Sequence, residues 1–137
     1  MIKGIIFDFD GVIVDSVQVK TDAFFELYSP YGSEIADKVV KHHILNGGMS
    51  RYEKINYYHK TYLNKSVTKT EIAFLAKRFS KLVINKVIDS PYIPGVLDYI
   101  KKSVKNYMLF ISTGTPINEI KQILLARKIN KYFSDWV

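Results

Sequence analysis

Residues 5 to 16 read IIFDFDGVIVDS. An apolar run ends abruptly in Asp8 and Asp10 with Phe9 between them; Gly11 follows, and a second apolar run closes on Asp15 and Ser16. In a strand successive side chains alternate between faces, so Asp8 and Asp10 point the same way as long as strand geometry persists through them. Two carboxylates then crowd one small space, which is unfavourable unless a cation, a proton or a cluster of donors offsets the repulsion. Gly11 lets the chain turn away without a Cβ penalty. The expectation is that both carboxylates stand at the carboxyl edge of a sheet, where open α/β sheets bind their ligands. A bare D-x-D reads as no more than a buried strand meeting a solvated acidic turn. Here the pattern is longer, with Ile5, Ile6, Phe7 and Phe9 around Asp8, then Gly11 and the Asp15-Ser16 exit.

Working outward, residues 2–7 read as a buried strand. From Ser16 the period changes from two to about 3.6, with Val19, Ala23 and Leu27 on one face and Phe24 broadening it, which predicts a helix. Pro30, Tyr31 and Gly32 break it. Ser33 is a plausible N-cap for a second helix, whose Ile35, Val39, Val40 and Ile44 form a stripe ending at Gly47 and Gly48. Ser50 with Glu53 and Thr68 with Glu71 are capping boxes opening a third and a fourth helix. The fourth is expected to bury Ile72, Leu75, Phe79, Leu82 and Val83. Residues 17–88 are thus helical throughout.

At Pro91, Pro94 and Gly95 the composition shifts, marking a boundary. A short helix through Val96, Leu97 and Ile100 follows, with Lys101 and Lys102 near its end. Residues 107–112, YMLFIS, read as a buried parallel strand. It ends in Thr113-Gly114-Thr115-Pro116. Pro116 suits the first position of a helix that turns Ile117, Ile120, Ile123 and Leu124 inward, and Thr115 is placed to cap it. Residues 132–137 look like the approach to a third strand. The fold class is α/β: a Rossmann-like parallel sheet of about three strands, formed by residues 1–16 and 89–137, with an all-helical domain at 17–88 inserted into it.

Length, composition and charge bound the function. The 137 residues are 47% hydrophobic and 24% charged, a globular balance in a one-domain length. No apolar run approaches the ~20 residues that span a bilayer, and the N-terminus reads as a strand rather than a signal peptide. The expectation is a soluble, cytoplasmic protein with no membrane partner. The absence of cysteine excludes disulfides and thiolate metal sites. The formal net charge of +7 is uneven: residues 1–15 carry −2, residues 16–88 carry +6 and residues 89–137 carry +3. Charge alone does not choose between nucleic acid, membrane surface and anionic metabolites, but no nucleic-acid-binding signature accompanies it, and no nucleic-acid partner is expected.

The 5–16 pattern resembles motif I of the haloacid dehalogenase-like (HAD) hydrolases. The phrase SPYIPGVLDYIKK (residues 90–102) is similar to the segment by which the chain re-enters the core in members with an inserted helical cap, of the phosphoglycolate phosphatase-like and β-phosphoglucomutase-like kinds. The resemblance implies that Asp8 attacks phosphorus to form an aspartyl-phosphate. It implies that Asp10 protonates the leaving oxygen and later deprotonates water. Mg²⁺ would be held by Asp8 and the backbone carbonyl of Asp10. The second acid favours phosphoryl chemistry over dehalogenation, since the true dehalogenases lack it.

Thr113 and Gly114 resemble motif II, the phosphate-binding hydroxyl with its neighbouring amides; Ser112 is the alternative hydroxyl. A hydroxyl and free N–H groups before a helix suit a phosphate oxygen on physical grounds too. In the residues 42–51, HHILNGGMSR, the adjacent histidines lie about 100° apart on a helix, which disfavours a shared metal. Arg51 and Lys54 stand in the first turns of the next helix. The resemblance makes them candidates for substrate specificity, and Arg suits bidentate recognition of phosphate or carboxylate. The tyrosines Tyr52, Tyr57, Tyr58 and Tyr62 read as core and rim of the helical domain.

The resemblance also calls for a motif III lysine and motif IV acids after the third strand. Lys121, Lys128 and Lys131 come too early, and Asp135 precedes the third strand with the wrong neighbours. The expected function is a Mg²⁺-dependent phosphatase acting on a small phosphorylated metabolite, with residues 1–137 alone binding metal weakly and hydrolysing at or near background. The alternatives are a phosphomutase and a non-catalytic binding module whose working surface is the basic helical segment.

Overall fold

The structure, a computed structural model, describes residues 1–136. The chain runs through β1 (Gly4–Phe7), α1 (Val17–Tyr28), α2 (Ser33–Leu45), α3 (Arg51–Tyr62), α4 (Lys69–Asp89), α5 (Val96–Ser103), β2 (Met108–Ile111), α6 (Ile117–Ala126) and β3 (Asp135–Trp136). Short 3₁₀ turns occupy Ser29–Tyr31 and Asn130–Tyr132. The strands form one parallel sheet in the order β1-β2-β3. Two compact units result, Met1–Val17 with Lys86–Val137 and Gln18–Asn85, where sequence puts the boundaries at 16/17 and 88/89.

In the sheet unit, Ile5 pairs with Leu109 and Phe7 with Ile111. Phe7, Leu109 and Ile111 are buried with Ile100 of α5 and Ile120, Ile123 and Leu124 of α6. Phe7 meets Phe133 and Tyr99 edge-on, with ring centroids 6.1 and 6.2 Å apart. Both crossovers step in the same direction across the sheet, and a right-handed connection at each step puts α5 and α6 on the same face. The consequence is a correction to the two-sided burial expected of these strands. Ile6 is 71% exposed and Met108 55%, so among the described residues β1 and β2 are covered on one face only.

The chain leaves and re-enters this unit through two paired segments. Asp15 donates its N–H to Pro91 O at 2.9 Å and Ile93 donates to Ile13 O at 3.0 Å, with an antiparallel bridge between Val14 and Tyr92. Arg127 fastens the end of α4 here. Its Nη1 donates to the carbonyls of Val87 (3.2 Å), Ser90 (2.8 Å) and Ile88, and its guanidinium lies 4.1 Å from the centre of the Tyr92 ring. A cation on the last carbonyls of a helix satisfies orphan acceptors and the macrodipole together.

The helical unit packs around Phe24 of α1, whose ring centroid lies 4.4 Å from Phe79 of α4, 4.8 Å from His43 of α2 and 5.9 Å from Tyr58 of α3. Both capping boxes form: Glu53 N–H donates to Ser50 Oγ while Ser50 N–H donates to Glu53, and Thr68 and Glu71 do the same. Several local expectations fail for identifiable reasons. Ser33 is the first residue of α2, behind a Gly32 N-cap at φ 106 without a side-chain cap. The buried stripe of α2 is Ala36, Val39 and His43, while Ile44 is 62% exposed, because His43 is the residue whose ring packs, tilted, against Phe24. Pro116, not Thr115, is the N-cap of α6, which leaves Ile117 one step too early to turn inward and 53% exposed. The strands are shorter than the apolar runs, Asp135 lies within β3 rather than before it, and Val137 lies outside the described residues.

Arg127→Met should destabilise the sheet unit by about 2–4 kcal/mol, since three carbonyls lose a charged donor at once. Urea denaturation followed by circular dichroism measures this; an unchanged midpoint would show that water replaces the guanidinium without loss.

Candidate active site

The parallel register decides what stands together. Because Phe7 pairs with Ile111 and Ser112 N–H donates to Phe7 O at 2.8 Å, the next residues, Asp8 and Ser112, leave the sheet side by side at its carboxyl edge. Asp8 is exposed, Phe9 fully buried and Asp10 half-buried, so the alternation of the strand survives past its last ladder residue. Phe9 is the anchor of the turn: its carbonyl accepts the N–H groups of Ile13 (2.9 Å), Val14 (3.2 Å) and Val12 (3.3 Å). Gly11 takes φ 77, and a Cβ there would lie 2.9 Å from Val17 Cγ2. Only glycine fits both the left-handed backbone and that gap.

Each carboxylate is held in place locally. Asp8 Oδ1 accepts the N–H of Phe9 at 2.6 Å, and Asp10 Oδ1 accepts the hydroxyl of the fully buried Ser16 at 2.6 Å. Ser16 is a site residue whose role is not legible from sequence, where it reads only as the exit from the motif. On the neighbouring strand end, Ser112 is exposed, and Thr113 is half-buried with its Oγ1 accepting the Thr115 N–H at 3.2 Å. Gly114 is exposed, with nothing within 4 Å of the position a Cβ would take. The two acids and the hydroxyl-glycine loop therefore belong to one edge of one sheet.

Asp8 and Asp10 offer hard oxygen donors of the kind Mg²⁺ prefers. Among the described residues no group of three or more His, Cys, Asp or Glu is placed to hold a metal ion.

Arg51 and Lys54 lie in the helical unit, and both are buried. Arg51 Nη1 donates to Ser80 Oγ at 2.7 Å, and its guanidinium stacks 4.6 Å from the Phe79 centroid. Lys54 is 2% exposed; its Nζ donates to His43 Nδ1 at 2.8 Å and lies 5.7 Å from the Phe24 centroid. His42 pairs through Nδ1 with the Tyr58 hydroxyl at 3.1 Å, and the Tyr28 hydroxyl lies 3.1 Å from His59 Nδ1. Of the four tyrosines read as core and rim, Tyr58 is core, Tyr62 half-buried, and Tyr52 and Tyr57 exposed.

Burial, followed by the charge of Lys20, pushes the Lys54 ammonium down to about 8 from 10.5. A lysine whose folded pKa is lowered is charged in both states below pH 8, where the cost of its burial is full, and that cost fades as pH rises toward 10.5. Stability should therefore rise by on the order of 2–3 kcal/mol across this window. Burial raises Tyr28 and Tyr58 and acts the other way above pH 10. Thermal unfolding between pH 7.5 and 10 should show the rise in the wild type and lose it in Lys54→Met; identical profiles would contradict it.

Comparison with known proteins places the chain. The sequence matches the haloacid dehalogenase-like hydrolase family over residues 5–137. No curated protein matches it. Among solved structures, the fold is similar to β-phosphoglucomutase from Clostridium difficile (TM-score 0.74, 20% identity, covering 99% of this chain and 61% of that one). It is also similar to a mutant of CbbY from Rhodobacter sphaeroides in complex with xylulose-(1,5)bisphosphate (0.71, 16%, 99% and 63%). A third similar structure is the HAD-hydrolase YfnB from Bacillus subtilis bound to magnesium (0.65, 17%, 98% and 64%). The chain thus spans less than two thirds of the length of each of these proteins. An α/β sheet with a helical cap inserted after its first strand, and a family match across nearly the whole sequence, make this chain a member of the haloacid dehalogenase-like hydrolase family.

Proposed function

We propose that the whole protein is a Mg²⁺-dependent phosphatase acting on a small phosphorylated metabolite in the cytoplasm. The observation that supports this reading is the register of β1 on β2, by which the chain leaves the sheet at Asp8 and at Ser112 on the same edge. In the proposed reaction Asp8 attacks phosphorus, the bond from phosphorus to the leaving oxygen breaks, and Asp10 delivers a proton to that oxygen. Asp10 then takes a proton from the water that attacks the aspartyl-phosphate, which releases inorganic phosphate and restores the Asp8 carboxylate. The Ser16 hydroxyl fixes the plane of the Asp10 carboxylate for both transfers. Thr113, with the amide of Gly114, would hold the phosphoryl oxygens, and Ser112 is the second hydroxyl within the same loop. Mg²⁺, held by the Asp8 carboxylate and the Asp10 carbonyl, would neutralise charge on the phosphoryl group.

The helical unit is proposed to act as the cap that selects the substrate, with Arg51 and Lys54 as its specificity residues. The burial of both side chains supports a role beyond solvation. A phosphomutase reaction through the same intermediate is the second reading, favoured by the similarity to β-phosphoglucomutase.

In the longest natural form of the protein, Asp8→Asn should lower turnover of p-nitrophenyl phosphate by about 1,000-fold or more, and Thr113→Ala should raise KM by about tenfold. Steady-state kinetics with and without Mg²⁺ measure both, and retained turnover in Asp8→Asn would remove the nucleophile assignment. Residues 1–137 alone should bind Mg²⁺ weakly by calorimetry and hydrolyse near background. Tight binding with brisk, Asp8-dependent turnover would show that this segment already holds every group the reaction needs.

A further inference from the structure

Of the seven asparagines in the chain only Asn46 precedes a glycine, in the link between α2 and α3. Asparagine before glycine is a reactive pair, because glycine has no Cβ to obstruct its amide nitrogen as it approaches the side-chain carbonyl carbon of the residue before it. The structure leaves that approach open. Asn46 is the C-cap of α2 at φ −128 and ψ 52, outside the helix, and the Gly47 N–H donates to no carbonyl among the described residues. Gly47 and Gly48 are exposed, with nothing within 4 Å of the position a Cβ would take at either. The Asn46 side-chain amide is restrained by one bond, from Nδ2 to His42 O at 2.8 Å, and water replaces a half-exposed bond of this kind at small net cost.

Elsewhere the same chemistry is held shut. The other asparagines outside the α-helices, Asn64, Asn106 and Asn130, precede lysine or tyrosine, and at two of them the next N–H is engaged: Lys65 on His59 O at 3.0 Å and Tyr107 on Ser103 O at 2.9 Å. Asp10-Gly11 is the one Asp-Gly pair of the sequence, and it forms the same kind of ring by losing water. There the Gly11 N–H donates to Val14 O at 2.7 Å, and Asp10 Oδ1 accepts the Ser16 hydroxyl at 2.6 Å. Nucleophile and electrophile are both pinned.

We infer that Asn46-Gly47 is a site of spontaneous covalent modification, where the fold permits the succinimide formation that it denies to Asp10-Gly11. The Gly47 nitrogen bonds to Asn46 Cγ and the bond from Cγ to Nδ2 breaks. The Gly47 amide proton passes through solvent to the departing nitrogen, which leaves as ammonia. Water then opens the ring at either carbonyl and gives aspartate or isoaspartate. Either product lowers the formal net charge of +7 by one. It also sets a carboxylate at the end of α2, where the macrodipole is already negative and His42 O loses its donor. Isoaspartate lengthens the main chain by one carbon in the link to α3. The inference does not depend on the phosphatase reading.

Trypsin cuts after Lys41 and Arg51, so residues 42–51 form one peptide, and after Lys3 and Lys20, so Asp10 lies in residues 4–20. The test is to age the folded chain in mildly alkaline buffer beside a synthetic peptide of residues 42–51, then digest it and follow the products by liquid chromatography and mass spectrometry. The expected result is loss of the 42–51 peptide to two products with the mass of an amide turned into an acid, one of them isoaspartate, while residues 4–20 stay unchanged. Gly47→Ala should slow the conversion by about tenfold or more. The added Cβ meets nothing and Gly47 is not among the left-handed glycines, so the variant should fold. The wild-type chain decides the matter without it: residues 42–51 intact in the folded chain while the free peptide is consumed would overturn the inference. Aspartate without isoaspartate also overturns it, since water would then have attacked the amide directly, as does conversion of Gly47→Ala at the wild-type rate. Isoaspartate at Asp10 would remove the protection assigned to Ser16 and Val14.

Discussion

The pairing of β1 with β2 in one parallel register is the constraint on which the candidate site depends. Parallel ladders fix both strands' directions, so their carboxyl ends emerge on the same side and the loops that follow are neighbours by construction. With Phe7 opposite Ile111, Asp8 and Ser112 are the first residues past the ladder. A slip of one residue would carry Phe7 out of the core and turn Asp8 into it, at the cost of a buried aromatic and an unpaired buried carboxylate. The burial of Phe7 and Phe9 thus holds the exposure of Asp8 in place. Position and chemistry here come from the same hydrophobic alternation.

The same topology explains where the sheet is bare. Two right-handed crossovers stepping the same way stack α5 and α6 on one face, and no choice of side chain in β1 or β2 alters that. Among the described residues, Ile6 and Met108 lie on the face away from both helices and are exposed. They do not reflect a weak apolar pattern, since both strands are apolar at nearly every position.

The helical unit is built on a different balance. Its aromatic centre carries its own polar network, in which the Tyr28 hydroxyl pairs with His59, the Tyr58 hydroxyl with His42 and the Lys54 ammonium with His43. The His59 Nδ1 hydrogen is shared by the Ile55 carbonyl, which can only accept, and the Tyr28 hydroxyl. Such networks specify one packing arrangement more than they add stability, because each unsatisfied member would be expensive. Lys54 enters it through His43 Nδ1, above the Phe24 ring.

How much was legible in the sequence follows the range of the interactions. The Asp8-Phe9-Asp10-Gly11 turn, the two capping boxes, the helical run of the insertion and the second parallel strand are written in contacts a few residues apart, and the sequence by itself determined them. It also determined the family, through motif I and the re-entry segment. Stripe positions on α2 and α6 went astray because the partners that choose them lie on other elements: Phe24 draws His43 inward in place of Ile44, and the Pro116 cap sets the phase of Ile117. The tertiary structure alone decided that Ser16 grips Asp10, that Arg127 caps a helix some forty residues away, that Ile6 and Met108 are exposed among the described residues, and that Lys54 is sealed against a histidine. These depend on distance through space between groups that local propensity does not connect, and only the packed chain brings them within reach.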